Sequence, residues 1–159
     1  MKTYTGYVTS LLPHQIFVFG SNPEGRHGGG TAKIANDLYG ADYGDGRGPQ
    51  GQCYALVTKN LTENYTEQST GITYVKAGEK SVSKFQILTN ILELYLYAME
   101  NKDKEFLIAY TTGPNLNGYS PREMANMFTY FPVPDNIVFN DELIELSDEY
   151  QRRIAKTTT

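Results

Sequence analysis

The sequence predicts an α/β protein, a three-layer α/β/α sandwich with a mixed central sheet, and two observations carry the expectation. Short apolar runs within 16–19, 53–58 and 106–110 have the length and composition of strands buried on both faces. Helical patterns stand between them, and a chain that alternates strand with helix returns its strands in parallel, through crossovers that cover both faces of a sheet. The 159 residues suit one domain spanning 1–159, which buries roughly two thirds of the surface its unfolded chain exposes.

The elements follow in order. Residues 4–9 alternate weakly and read as a first strand, ended by Ser10-Leu11-Leu12-Pro13-His14. The run 16–19 is the second strand. A short helix is expected over 31–39, with Ala32, Ile34, Ala35 and Leu38 toward the sheet and Gly40 as its stop. Residues 41–52 carry Gly44, Gly46, Gly48 and Gly51 beside Asp45 and Arg47, which reads as a loop too flexible to be held by its own packing. It is either a lid over the preceding loop or a long surface excursion. Strand 53–58 brings Thr58 and Lys59 to the carboxyl edge where open sheets collect ligands. After a polar stretch, 72–75 is a short strand or an extended arm.

The clearest helix covers 81–101, where Ser83-Lys84-Phe85-Gln86 has capping-box spacing and Phe85, Leu88, Ile91, Leu92, Tyr95 and Met99 recur at helical intervals. It reads as scaffold. Strand 106–110 is expected at the centre of the sheet, and a further helix starts at Ser120 as N-cap, with Pro121 first and Glu123 third. A turn at 132–136, a last strand at 137–139 and a helix over 141–156 with an acidic start and basic end complete the chain, with 157–159 frayed.

The chemistry gathers behind the second strand. Of the eleven residues from Gly20 to Gly30, five are glycine. Without Cβ atoms, several backbone N–H groups can converge on one anion, and a helix starting near Thr31 aims its unpaired N–H groups and positive dipole end at the same place. Phosphate or diphosphate is the natural guest, with Gly20, Ser21, Asn22 and Arg26 as candidate ligand residues ahead of Gly28, Gly29, Gly30 and Thr31. Asn22 and His27 are the candidate catalytic residues, the imidazole serving as acid, base or hydrogen-bond donor to phosphate. A P-loop needs Lys then Ser or Thr after its last glycine, whereas Thr31 follows Gly30 directly. The dinucleotide fingerprint and the nucleophile elbow also fail on spacing.

The stretch 111–121 repeats the design, glycines and hydroxyls leaving a strand and entering a helix. Thr112, Gly113, Asn115, Gly118 and Tyr119 are its candidate ligand residues, and two such loops can clamp a diphosphate from both sides.

Val18-Phe19-Gly20-Ser21-Asn22, five further residues, then Gly28-Gly29-Gly30-Thr31-Ala32 resemble the first ligand loop of the macro domain family. Gly6-Tyr7-Val8-Thr9, Gly51-Gln52-Cys53-Tyr54-Ala55-Leu56-Val57-Thr58 and the segment 106–121 resemble further parts of that family, so the likeness covers most of the chain. The resemblance implies a macro-like fold that binds ADP-ribose or a related ADP-ribosyl nucleotide. It would put Asn22 on the distal ribose, Gly28 to Thr31 along that sugar and one phosphate, and 112–119 around the diphosphate. Some members only recognise the ligand; others hydrolyse an ADP-ribosyl bond or a terminal ribose phosphate, and the resemblance leaves both open. Tyr7 stands where the family has an aspartate for the adenine amino group, and two extra residues separate Gly113 from Gly118. These departures keep open a second class, a non-enzymatic module that binds another nucleotide or a protein partner.

Composition bounds the rest. A net charge of −4 with no basic stripe argues against nucleic acid held by counterion release, yet allows a small anionic nucleotide or an ADP-ribosylated protein as partner. Cys53 is the single cysteine, so no internal disulfide or multi-cysteine zinc site is expected, nor any other metal or cofactor. Cytoplasm is the default location. No signal-peptide run opens the chain, and nothing suggests a membrane partner.

Overall fold

The computed structural model describes residues 1–111 and 115–157. It is an α/β three-layer sandwich around a six-stranded mixed sheet. The strands are β1 (Lys2–Tyr4), β2 (Gln15–Ser21), β3 (Gly48–Gln50), β4 (Cys53–Val57), β7 (Glu105–Ile108) and β8 (Ile137–Asn140), in the spatial order β1-β8-β7-β2-β4-β3. All neighbours pair in parallel except β3, which runs antiparallel along the β4 edge. A two-stranded ribbon, β5 (Tyr65–Thr66) with β6 (Thr73–Tyr74), lies outside the sheet.

Because side chains alternate across a strand, β2 feeds two cores. Phe17 and Phe19 face α1 (Gly30–Leu38) together with Cys53 and Ala55. Val18 faces the other way, toward α2 (Lys84–Glu100) and α3 (Pro121–Phe128), in a larger core with Tyr54, Leu56, Phe106 and Ile108. Both capping boxes form: Ser83 with Gln86 at α2, Ser120 with Glu123 at α3.

Several expectations shift. The first strand ends at Tyr4 instead of Thr9, because the chain turns at Gly6, whose carbonyl accepts from Asn140 Nδ2 at 2.8 Å. Tyr7 therefore sits in an irregular segment. On α1 only Ala32 and Ala35 are buried, while Ile34 and Leu38 are exposed. On α2 the inward face is Ile87, Ile91, Leu94, Tyr95 and Ala98, leaving Phe85 and Met99 outside. The expected helix 141–156 is two helices, α4 (Asp141–Ile144) and α5 (Asp148–Thr157). Between them Ser147 is fully buried, bonds Thr129 at 2.8 Å and accepts from the Tyr150 N–H, so it starts the second helix rather than continuing the first. Thr157 is still helical.

The segment 41–52 is fastened, not free. Arg47 forms a two-pronged ion pair with Glu67, Nε to Oε2 and Nη2 to Oε1 both at 2.9 Å, and donates to Asn90 and Glu93 on α2. Its hydrogen-bonded carboxylate partner outweighs desolvation and holds the guanidinium protonated, while Arg47, Thr70 and Tyr74 hold the Glu67 carboxyl below its ordinary range despite burial. At the other end Gly44 donates to the Gly25 carbonyl at 2.8 Å, and a Cβ on Gly46 would fall on the Asn22 carbonyl oxygen.

Candidate functional site

The chain leaves β2 toward α1 on one face of the sheet and leaves the adjacent β7 toward α3 on the other. Diverging connections from neighbouring parallel strands open a crevice at their carboxyl ends, the position where open α/β sheets bind ligands. A cavity of about 530 Å³ lies there.

Its first wall is the glycine loop. Gly20, Ser21, Asn22, Arg26, Gly28, Gly29, Gly30 and Thr31 all line it. Gly29 is the N-cap of α1 and no side chain caps this helix, in contrast to Ser83, Ser120 and Asn140 at α2, α3 and α4. Gly30 has φ of +57°, a left-handed turn that steers the chain from loop to helix, and open space surrounds the Cβ positions of Gly28 and Gly29. The N-terminal N–H groups of α1 thus face a cavity without a built-in carboxylate or hydroxyl cap.

Asn22 shapes this loop. Its Nδ2 donates to the Arg26 carbonyl and its Oδ1 accepts from the Arg26 N–H, both at 3.0 Å, which closes the turn and leaves one amide N–H and a carbonyl lone pair for a guest. Arg26 extends outward, paired with Glu24 at 3.3 Å. Thr58 and Lys59, from the end of β4, join the lining, and their backbone N–H groups donate to the Ser21 carbonyl.

The second wall comes from behind β7. Tyr110, Thr111, Asn115, Leu116 and Asn117 line the cavity, and a Cβ on Gly30 would meet Leu116 Cδ1 at 3.6 Å, so the two loops touch. The expected contributions of Thr112 and Gly113 lie outside the described residues. Asn115 Nδ2 donates to the Tyr119 carbonyl at 2.9 Å, which closes this loop as Asn22 closes the first. The floor is apolar, with Val18, Leu56, Ile108 and Phe128.

Three expected site residues lie elsewhere. Gly118 is pressed against the backbone of Lys80 and the side chain of Glu79. Tyr119 is buried with its hydroxyl donating to the Val82 carbonyl at 2.8 Å, an anchor for the loop in place of a ligand contact. His27 is 2 % exposed and does not line the cavity; its ring stands edge-on to Phe19 at 5.2 Å. Its Nε2 lies 3.5 Å from Ser21 Oγ, and its Nδ1 is buried without a hydrogen-bond partner. Burial lowers its pKa against the opposing pull of Asp45 and Asp42. The buried ring, packed on Phe19, lies beneath the glycine loop and off the cavity wall.

Tyr43 also lines the cavity, a residue that sequence reasoning did not single out; its position in the 41–52 loop was the available signal. Cys53 is buried, with its thiol pushed up to about 12, chiefly by desolvation. Among the described residues no group of three or more His, Cys, Asp or Glu side chains is placed to hold a metal, and no helix is long and apolar enough to cross a membrane. No family model matches the chain, and no curated protein or solved structure matches it either.

Proposed function

We propose that the protein binds a diphosphate-bearing nucleotide, ADP-ribose or a close ADP-ribosyl relative, in the crevice between β2 and β7, and that it belongs with the macro domains it resembles. The observation that carries this reading is the uncapped N-terminus of α1, preceded by Gly28-Gly29-Gly30, facing the 115–117 segment across one cavity. Backbone N–H groups and the helix dipole supply the anion site, while Arg26 and Lys59 add positive charge at the wall. The apolar floor and Tyr43 suit the faces of sugar and base.

The reading is one of recognition. Among the described residues the cavity wall carries no imidazole and no carboxylate, so no side chain there has the ordinary pKa of a neutral-pH base. An ADP-ribosylated protein incubated with the chain is expected to be bound and to keep its modification.

A second reading is a different nucleotide base. Among the described residues no carboxylate lines the cavity to accept from an adenine amino group, and Tyr7 does not line it. Calorimetric titration with ADP-ribose, ADP, AMP and ribose-5-phosphate separates the readings. ADP-ribose binding tighter than AMP supports the first; equal binding of nucleotide diphosphates whatever their base supports the second; no heat with any of them removes both. Gly29→Asp supplies α1 with its missing cap and puts a carboxylate in the cradle. It is expected to raise stability by a few tenths of a kcal/mol and to weaken ADP-ribose binding about tenfold or more.

A further inference from the structure

Among the described residues the buried serines and threonines are Ser21, Thr58, Thr129 and Ser147. The two that lie away from the cavity satisfy each other, with Thr129 Oγ1 and Ser147 Oγ 2.8 Å apart, and Thr129 donates onward to the Ala125 carbonyl at 3.0 Å. The two that line the cavity are unspent. Ser21 Oγ has only long contacts, 3.4 Å to the Asn22 carbonyl and 3.5 Å to His27 Nε2, against roughly 2.5–3.0 Å for an ordinary hydroxyl donor. Thr58 gives its backbone N–H to the Ser21 carbonyl at 3.0 Å, while its hydroxyl bonds to no described group. That oxygen is not sealed in as the Tyr39 hydroxyl is, so it opens on the cavity. A buried hydroxyl left without a partner forfeits a hydrogen bond, and a guest that supplies one restores it.

Register brings the two hydroxyls together. β2 and β4 pair in parallel with Ser21 opposite Val57, so Ser21 and Thr58 leave adjacent strand ends one residue apart. A Cβ on Gly20 would stand 3.2 Å from Thr58 Oγ1, and glycine at that position keeps the oxygen reachable. An ionised phosphate only accepts hydrogen bonds and finds its donors at the uncapped N-terminus of α1 on the same cavity wall. A serine or threonine hydroxyl both donates and accepts, as a sugar hydroxyl does. Two such groups side by side match the vicinal pair of a ribose.

We propose that Ser21 and Thr58 read the vicinal hydroxyls of a ribose whose phosphate sits on the α1 N-terminus, so that the site selects ribose over deoxyribose. This rests on the anion cradle of the proposed function, and it requires neither the adenine nor the second phosphate.

Ligand-observed NMR titration of the full chain with ribose 5-phosphate and with 2-deoxyribose 5-phosphate tests it. The ribose compound is expected to bind at least about tenfold more tightly, and the double variant Ser21→Ala with Thr58→Val to abolish the difference while still binding the deoxy compound. The thermal midpoint separates this from a structural role. Thr58→Val loses no internal bond and is expected to keep the midpoint, whereas Thr129→Val breaks the pair with Ser147 and lowers it. Equal binding of the two sugar phosphates, binding of neither, a preference that survives in the double variant, or a midpoint that falls as far in Thr58→Val as in Thr129→Val overturns the proposal. A chain that prefers ribose 5-phosphate yet leaves ADP-ribose unbound removes the nucleotide reading and keeps the ribose one. ADP-ribose bound equally by the wild type and the double variant does the reverse.

Discussion

Gly46 and His27 show how closely single residues are tied to the cradle. Gly46 packs on the backbone of Asn22, Pro23 and Gly25 with no room for a methyl group, and all three contacts are main chain that cannot swing aside. Gly46→Ala is expected to cost about 1–3 kcal/mol in urea denaturation, as overpacking does, and to displace the Asn22 turn and weaken ligand binding. His27 sets a pH dependence. Its folded-state pKa is below the ordinary 6.5, so the unfolded chain takes up the proton first as pH falls. Its contribution to stability is complete above that value and is lost as pH drops through 6.5 toward the lowered folded pKa. Denaturation midpoints measured across that window are expected to fall with pH in the wild type and to fall less in His27→Phe.

Elements hold the crevice open because each is pinned by something outside it. The 41–52 segment and the β5–β6 ribbon are joined to α2 by Arg47, which meets Glu67, Asn90 and Glu93 at once. Glu67 is almost wholly buried, so removing its partner strands a carboxylate away from water. Arg47→Ala is expected to destabilise by about 3–5 kcal/mol in thermal or urea unfolding, and Arg47→Met with Glu67→Leu to recover much of it. This is also where sequence reasoning failed. Four glycines made 41–52 look loose, and nothing local announces that its arginine reaches a glutamate 20 positions onward. The capping boxes at Ser83 and Ser120 were legible because both partners lie within three residues. The orientation of α2 was not, because apolar side chains occupy both of its faces and spacing alone cannot say which one meets the sheet.

Across the whole molecule, the layered α/β sandwich was readable from the apolar runs, since a buried parallel strand imposes an uninterrupted pattern. The segment 115–117 faces the first glycine loop across the cavity because β2 and β7 are neighbours, and that strand order is a tertiary fact no local spacing carries. Gly20, Ser21, Asn22, Arg26 and Gly28 to Thr31 line the cavity, whereas His27 does not, because an aromatic core neighbour and the loop above it remove it from solvent. Tyr119 was misplaced for a similar reason: a tyrosine after a glycine reads as a ligand contact, but its hydroxyl closes on Val82. A guest held by both loops stabilises the folded chain by mass action, so the thermal midpoint is expected to rise with ADP-ribose concentration.

The most direct measurement of the central claim is backbone amide chemical-shift mapping during an ADP-ribose titration of the full chain. The account predicts that the amides of Gly28, Gly29, Gly30 and Thr31 move together with those of Asn115, Leu116 and Asn117, along one saturation curve. Shifts confined to one of the two loops, or no shift in either at saturating nucleotide, would contradict a shared anionic guest between β2 and β7.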